Sequence, residues 1–172
     1  MKRHILLVGL PGSGKTTIGR LVAERLGTGF VDSDQIIVRK MQMPVSRIFA
    51  IHGEPRFREL ERETMAHALE GPASVLAPGG GWAVQPGQLD AARTNSFIVY
   101  LKTLAMTASK RANTDSTRPM LVGEDPVEQM RNLLKDREPF YSKADAEIKN
   151  DVKTAEAAAD EVVALAREKA GW

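Results

Sequence analysis

The sequence predicts an α/β fold in which a mainly parallel sheet of about five strands is covered by helices on both faces. Short apolar stretches alternate along the chain with longer stretches of helical periodicity. The short stretches are apolar at nearly every position, which is typical of strands that are buried on both faces. The chain has 172 residues, the size of one domain, and no linker or repeat divides it.

The first half of the chain predicts two strands and four helices. A strand at residues 5–8 leads through a Gly-rich turn into a helix at about residues 16–26. A second short strand at residues 30–31 ends at a pair of aspartates. Apolar residues recur at helical spacing after this pair, and they predict helices at about residues 34–41, 44–51 and 55–69.

The second half begins with strands at residues 74–77 and 97–101, the first of which ends in three glycines. Residues 112–124 are polar and have neither strand nor helix periodicity, so a mobile loop is expected there. Two helices follow, at about residues 126–135 and 154–169. The second of these is rich in Ala, Glu and Val.

Composition excludes several classes of protein. The absence of cysteine rules out a disulfide scaffold and a thiolate zinc site. The apolar stretch at residues 5–10 is far shorter than the about 18 residues that a membrane helix needs. The 24 basic and 22 acidic residues leave a net charge of only +2, without a basic tail. We expect a cytoplasmic monomer that binds neither nucleic acid nor membrane.

A phosphate-binding loop is predicted at residues 9–16, whose sequence GLPGSGKT follows a strand and precedes a helix. Its glycines allow backbone N–H groups to converge on phosphate oxygens at the positive end of the helix. The alternative is a Gly-rich turn before a helix whose lysine is exposed. The residues expected to contact ATP in this loop and at the start of the helix are Gly12, Ser13, Gly14, Lys15, Thr16 and Thr17.

Within this loop, Lys15 is expected to neutralise the β- and γ-phosphates, and Thr16 to place its hydroxyl on Mg²⁺. The sequence lacks the Asn-Lys-x-Asp signature of guanine binding and an apolar run that ends in Asp-Glu. A GTPase switch and an ATPase motor are therefore disfavoured, and a kinase that phosphorylates a small acceptor is favoured.

The aspartates after the second strand, Asp32 and Asp34, are expected at the same edge of the sheet as the phosphate-binding loop. At that edge Asp32 can hold Mg²⁺ through water, and Asp34 can orient or deprotonate an attacking hydroxyl. Alternatively, Asp34 is only the N-cap of the helix that follows it.

With these and later motifs, the chain resembles the shikimate kinase family over nearly its full length. Each later motif is modest by itself, but their order and spacing are specific. The residues that carry the resemblance are the loop at 9–16, Asp32 and Asp34, Gly53-Glu54 with FRELE at 57–61, the glycines at 79–81, RPML at 118–121, and Arg137 with Tyr141.

The resemblance implies a three-layer P-loop kinase fold with a five-stranded parallel sheet, an acceptor-binding section at about residues 33–61 and a lid at about residues 112–124. It implies ATP- and Mg²⁺-dependent phosphorylation of the 3-hydroxyl of shikimate. The product, shikimate 3-phosphate, belongs to the chorismate route to aromatic amino acids.

In the family pattern Asp34 contacts the reacting hydroxyl, Arg58 and Arg137 hold the substrate carboxylate, and Glu61 orients Arg58. Guanidinium groups suit this task because they pair bidentately with a carboxylate. Gly79, Gly80 and Gly81 are expected to bring backbone N–H groups close to the ligand. On local evidence alone, a surface arginine paired with Glu61 is the preferred interpretation of Arg58, and a plain loop is an alternative for the glycines.

Two further arginines are assigned to the nucleotide by resemblance. Arg118 of the lid is expected over the transferring phosphoryl group, and Arg111 on the adenine ring. Either can instead be a solvated side chain. Phe49 and Phe57 can wall the acceptor ring or belong to the core.

The chain departs from the family pattern at several positions. Trp82 follows the triple glycine, where a small or aliphatic residue is usual, and this is expected to narrow or reshape the acceptor pocket. Ala155 stands where the adenine loop usually carries a proline. Asp115 and Ser116 replace basic residues that are frequent in the lid, which is expected to weaken its closure on ATP.

Two alternative functions remain open at this point. The chain could be another small-molecule kinase, acting on gluconate or a nucleoside monophosphate, or a nucleotide-binding regulator that has lost phosphoryl transfer. The presence of Asp34, Arg58, Arg118 and Arg137 together argues against the regulator.

Overall fold

The computed structural model describes residues 1–113 and 125–172 and has the α/β architecture that the sequence predicts. Within these residues the elements are, in chain order, β1 (His4–Val8), α1 (Lys15–Leu26), β2 (Phe30–Asp32), α2 (Ser33–Met41), α3 (Val45–His52), α4 (Glu54–Glu70), β3 (Val75–Ala77), α5 (Gln88–Arg93), β4 (Ser96–Lys102), α6 (Ala105–Asn113), α7 (Pro126–Tyr141), β5 (Ala146–Lys149) and α8 (Ala155–Lys169).

Five parallel strands form one sheet in the order β2-β3-β1-β4-β5, with the first strand of the chain at its centre. Ile5 of β1 is in register with Val75 of β3 and Phe97 of β4. Because the strands run in one direction, the carboxyl ends of β1, β2 and β3 reach the same edge of the sheet. The loops that follow these three strands therefore meet at that edge.

Helices cover both faces of the sheet because successive strand residues point to opposite sides. Ile5 and Leu7 of β1 lie in the core shared with α1 and α8, whereas Leu6 and Val8 lie in the core shared with α4, α6 and α7. A third, smaller cluster joins α2, α3 and α4 at the end of the molecule that carries the loops. Its buried residues are Ile37, Ile48, Phe57 and Leu60.

The structure adds three elements whose bounds the sequence did not give: the edge strand β5, the short helix α5, and helix α6, whose last two residues fall in the stretch expected to be a loop. Only Ile148 of β5 is buried, so the strand has no apolar run by which it could be recognised. Helix α7 extends to Tyr141 although Pro139 cannot donate a hydrogen bond within the helix. The buried Met130 and Tyr141 attach this helix to the sheet at both of its ends.

In the described ranges no helix combines the length and the apolar character needed to cross a membrane.

Candidate active site

The loop between β1 and α1 forms a cradle at the end of the central strand. Gly12 has a φ of +80°, and a Cβ added there would collide with the carbonyl oxygen of Ala108 in α6. Gly14, the N-cap residue of α1, has a φ of +92°. The first turn of α1 contains no acidic residue, so the positive end of its dipole is left for an anion.

Lys15 lies inside this cradle and not on the surface. Its Nζ donates to the carbonyl oxygens of Gly9 and Leu10, at 2.8 and 2.9 Å, and the residue is only 7% exposed. The structure therefore contradicts the alternative of an exposed lysine after a plain turn. A cation held among carbonyl oxygens at a helix N-terminus is placed to meet the phosphates of a nucleotide.

Thr16 and Asp32 meet beside the cradle, where the Thr16 hydroxyl donates to Asp32 Oδ2 at 2.6 Å. Asp32 Oδ1 accepts from the backbone N–H of Gln35, so Asp32 and not Asp34 is the N-cap of α2. These oxygens fit Mg²⁺, which takes oxygen ligands and usually keeps several waters besides one or two carboxylates. No group of three or more His, Asp or Glu side chains that could hold a metal occurs in residues 1–113 and 125–172.

A cavity of about 570 Å³ opens next to the cradle, between the section formed by α2, α3 and α4 on one side and α7 on the other. It contains the predicted acceptor residues together with several that sequence reasoning missed, most of them on α7. The residues that line it are Pro11, Asp34, Val45, Phe49, Glu54, Phe57, Arg58, Glu61, Gly79, Gly80, Gly81, Ala112, Gln129, Met130, Asn132, Leu133, Asp136 and Arg137.

Arg58 enters the cavity from α4. Its Nη1 donates to Glu61 Oε1 at 3.0 Å, and its Nη2 lies 3.4 Å from Glu54 Oε1. The guanidinium carbon lies 5.5 Å from the ring centroid of Phe57. Two carboxylates of the same helix and an aromatic face thus hold the guanidinium at the cavity wall.

Arg137 enters from α7 on the opposite side. Its Nη1 donates to the Tyr141 hydroxyl at 3.5 Å, and that hydroxyl donates to the carbonyl oxygen of Gly80 at 2.7 Å. Burial raises the pKa of Tyr141, which keeps the phenol neutral and able to donate. Tyr141 therefore ties α7 to the loop after β3 and fixes the position from which Arg137 reaches the cavity.

Each of the three glycines after β3 makes room for a charged side chain. A Cβ added at Gly79 would lie 2.5 Å from Glu61 Oε2 and 2.9 Å from Asp34 Oδ1. At Gly80 it would lie 2.7 Å from Arg137 Nη1, and at Gly81 it would lie 2.5 Å from Arg58 Nη1. Sequence reasoning expected these glycines to approach a ligand. Their close approach to the charged side chains of the site itself was not predicted.

Glu61 is fully buried although it is an acid. Its pKa is raised from 4.5 to about 7, chiefly by burial; the neighbouring Asp34 acts in the same direction, and Arg58 and Arg137 partly offset the rise. Because the burial effect is the largest, Glu61 changes its charge near neutral pH.

The nucleotide side of the site includes a contact that sequence reasoning missed. Asn150, which follows β5, donates from Nδ2 to the carbonyl oxygen of Ser13 at 2.6 Å. Arg111 of α6 donates to the carbonyl oxygen of Asn150 at 3.2 Å. The predicted adenine arginine and the segment before Ala155 are thus joined to the phosphate cradle.

Two expectations about aromatic residues can be compared with the structure. Trp82 is fully buried in the apolar core with Met65 and Leu76 and is not among the residues that line the cavity, so its side chain does not narrow the acceptor pocket directly; that it reshapes the pocket stays a prediction. Phe49 and Phe57 line the cavity with ring centroids 4.9 Å apart, and both also belong to the third apolar cluster. Both residues therefore line the cavity and also belong to the apolar core.

Arg118, Asp115 and Ser116 lie outside the described residues, as does the lid expected at residues 112–124 except for its first two positions.

Comparisons with known proteins agree with this geometry. A family model described as shikimate kinase matches residues 11–167. A shikimate kinase of Moorella thermoacetica is 41% identical over 162 residues, which are 94% of this chain and 93% of that protein. One of Caldicellulosiruptor saccharolyticus is 37% identical over 163 residues, with 95% of both chains covered.

Solved structures give the same result. A shikimate kinase from Acinetobacter baumannii in complex with shikimate has a TM-score of 0.92 and 36% identity, and the match covers 98% of this chain and 94% of that one. A gluconokinase from Sinorhizobium meliloti has a TM-score of 0.63 at 17% identity, a likeness of fold alone. With a family model across most of its length and near-complete relatives well above 30% identity, this chain belongs to the shikimate kinase family.

Proposed function

We propose that the protein transfers the γ-phosphoryl group of ATP to the 3-hydroxyl of shikimate, which yields ADP and shikimate 3-phosphate. One observation carries the proposal. Arg58 and Arg137 line the same cavity from opposite sides, and this cavity also contains Asp34 and adjoins the phosphate cradle. Two guanidinium groups suit the carboxylate of a small acid. A fold shared with gluconokinase does not explain why two arginines line this cavity, and a site for the nucleotide alone does not explain it either. Family membership supports the same acceptor.

In this proposal one group of residues binds the nucleotide phosphates, and a second group binds the acid in the cavity. Lys15 moves its ammonium group from the carbonyl oxygens of the cradle to the phosphates, and Arg58 and Arg137 orient the acid. Asp34 accepts a hydrogen bond from the reacting hydroxyl and thereby directs the oxygen of that hydroxyl towards the phosphorus atom. Thr16 and Asp32 would hold Mg²⁺, which offsets charge on the phosphate oxygens when it is bound.

The proposal also includes the remaining nucleotide contacts and the state of the protein in the cell. Arg118 covers the phosphoryl group as part of a lid, Arg111 contacts adenine, and Thr17 contacts phosphate. The protein acts as a single-domain monomer in the cytoplasm, where ATP is supplied, without nucleic acid or membrane as partner. We expect sedimentation velocity at the protein concentration of the activity assay to give the mass of a monomer. The mass of a dimer would contradict this part of the proposal.

The deciding experiment is an acceptor panel in an ADP-release assay with ATP and Mg²⁺. Shikimate, shikimate methyl ester, gluconate and AMP are compared at equal concentration. We expect shikimate to give the fastest release and the ester to be poor, because it offers the arginines no anion. Faster release with gluconate or AMP would replace the proposed acceptor, and ATP binding without release on any acceptor would indicate a regulator.

Replacing Arg58 with alanine is expected to raise the KM for shikimate by about 10–100-fold, because a charge-assisted hydrogen bond contributes roughly 1.5–3 kcal/mol. The KM for ATP should stay the same. Arg56→Ala is the matched control, since Arg56 lies on the same helix, pairs with Glu59 at 3.0 Å and does not line the cavity. Initial rates of all three proteins measure the effect, and an unchanged KM in the Arg58 variant removes this residue from the site.

Replacing Gly81 with alanine is expected to raise the KM for shikimate at least tenfold with little change in thermal stability. The new Cβ would displace the guanidinium of Arg58, which is the movable end of a long side chain and not backbone. Gly29→Ala is the control, because its Cβ would lie 3.9 Å from Ser74 Cβ, an ordinary contact. Equal KM values in the two variants would contradict the close approach of Gly81 and Arg58.

A further inference from the structure

Apart from the exposed Glu54 and Asp136, the ionisable side chains that line the cavity balance one another in charge when all are ionised. Asp34 and Glu61 carry two negative charges when both are ionised, and Arg58 and Arg137 carry two positive charges. Shikimate would bring one more negative charge into a cavity whose walls are largely apolar, and an uncompensated charge is costly in such surroundings. Its binding therefore requires that another group in the site change its charge or remain poorly compensated.

Glu61 is the group with the geometry for such a change. Its carboxyl group is completely buried, and only Oε1 is paired, with Arg58 Nη1 at 3.0 Å. Oε2 has no hydrogen-bond partner among residues 1–113 and 125–172. This oxygen lies against the backbone at Gly79, where an added Cβ would be 2.5 Å from it.

The charged and titratable groups that face Glu61 come from three helices. Arg58 lies on its own helix, Asp34 approaches from α2, and Arg137 and Tyr141 approach from α7. Asp34 and Glu61 repel each other, and the substrate carboxylate would add a third negative charge close to them. Tyr141 stays neutral, so it offers no compensation.

The two remaining acids of the cavity wall do not compensate the negative charge that the substrate carboxylate brings. Glu54 reaches Arg58 Nη2 from the exposed side, where its side chain is 62% exposed, and Asp136 lines the cavity from α7. Both add negative charge to a site that is to receive an anion. Both side chains are exposed to water, so neither is a buried group that the charge of the substrate must oppose directly.

We propose that Glu61 takes up protons from solvent when shikimate binds, so that part of the negative charge that the acid brings into the cavity is offset. This inference rests on the proposed function. A protonated Glu61 still accepts from Arg58 through its carbonyl oxygen, so the guanidinium keeps its position while it turns its remaining donors to the substrate. The proton is drawn from solvent on binding and returns to solvent when the product leaves.

The electrostatics of the empty site agree with this role. Because burial raises the pKa of Glu61 to about 7, the group is close to half protonated at neutral pH and needs little further shift. A carboxylate bound to Arg58 weakens the guanidinium's attraction for Glu61 and adds repulsion, and both effects raise the pKa of Glu61 in the complex. Proton uptake is then the expected sign.

The test measures protons directly. Titration calorimetry of shikimate binding at pH 7.5 in buffers of different ionisation enthalpy gives the number of protons from the slope of enthalpy against buffer enthalpy. With a shift of about one pKa unit on binding, the uptake is about half a proton, and the Kd weakens about fourfold from pH 7 to pH 8.5. Shikimate methyl ester, which brings no charge, should bind without uptake.

Two variants connect the signal to this carboxyl group. Glu61→Gln should abolish the buffer dependence and flatten the pH profile of Kd, whereas Glu54→Gln, which changes the other carboxylate on Arg58, should keep both. No buffer dependence in the wild-type protein, or equal uptake with acid and ester, overturns the inference while shikimate binding stands. Absence of shikimate binding and turnover overturns the proposed function, and the inference with it.

Discussion

Replacing Lys15 with methionine is expected to lower kcat by about 10²–10³-fold, the usual loss when one preorganised donor to developing charge is removed. Methionine keeps an unbranched side chain that is one atom shorter, and it removes the ammonium group together with its charge and its hydrogen-bond donors. The ammonium group donates to the carbonyl oxygens of Gly9 and Leu10, so it already lies inside the cradle from which it would turn to the phosphates. Phosphoryl transfer leaves little covalent chemistry to the protein, and its rate therefore depends mainly on such charges.

A steady-state ADP-release assay at saturating shikimate measures this loss, and thermal unfolding shows whether the variant is folded. Lys169→Met is the matched control, because Lys169 is an exposed lysine in the last turn of α8. A kcat within tenfold of the wild type in the folded Lys15 variant would mean that the ammonium group does not face the transferred phosphate. The control should retain its full rate.

The order of elements and the position of the nucleotide site could be predicted because they depend on local patterns. The run of Ile5, Leu6, Leu7 and Val8 is apolar on both faces, and only a central parallel strand buries it completely. The glycines and Lys15 follow at the spacing that a strand-to-helix turn requires. Such signals lie within about ten residues of one another and need no knowledge of the rest of the fold.

What the sequence could not supply was which distant surfaces meet. Helix α7 forms one wall of the cavity, but its periodicity states only that one face is apolar, not that it faces α4. The burial of Glu61 and of Trp82 likewise depends on packing between elements. Trp82 follows three glycines that line the cavity, yet its side chain points into the core beneath them. Chain neighbours at a turn face different surroundings, and sequence proximity was misleading there.

The steric role of the glycines is a related case. A triple glycine after a strand indicates a close approach, and the sequence does not say to what. Here Gly79 approaches the carboxyl groups of Glu61 and Asp34, residues that lie 18 and 45 positions away in the chain. Only the folded structure shows that the glycines allow the acids and arginines of the site to come together.

The second large effect is expected at Asp34, where replacement by asparagine should reduce kcat by about 10²–10⁴-fold, the range for loss of a general base. Asparagine has the same shape, but its amide cannot accept a proton from the reacting hydroxyl. Because Asp32 caps α2 and Asp34 does not, the substitution should leave the helix intact. The KM for ATP should also be unchanged, since Asp34 lines the acceptor cavity.

The matched control is Asp90→Asn, because Asp90 and Asp34 are both acids in the first turn of a helix. Both substitutions remove the same favourable interaction with a helix dipole, worth about 0.3–1 kcal/mol, so a shared loss of stability cannot account for a difference in rate. Rates at saturating substrates over pH 6–9 then separate two roles. A residual rate that rises tenfold per pH unit would indicate that hydroxide replaces a lost base, whereas a flat, low rate would indicate that Asp34 orients the hydroxyl. Normal turnover in the Asp34 variant would exclude both roles.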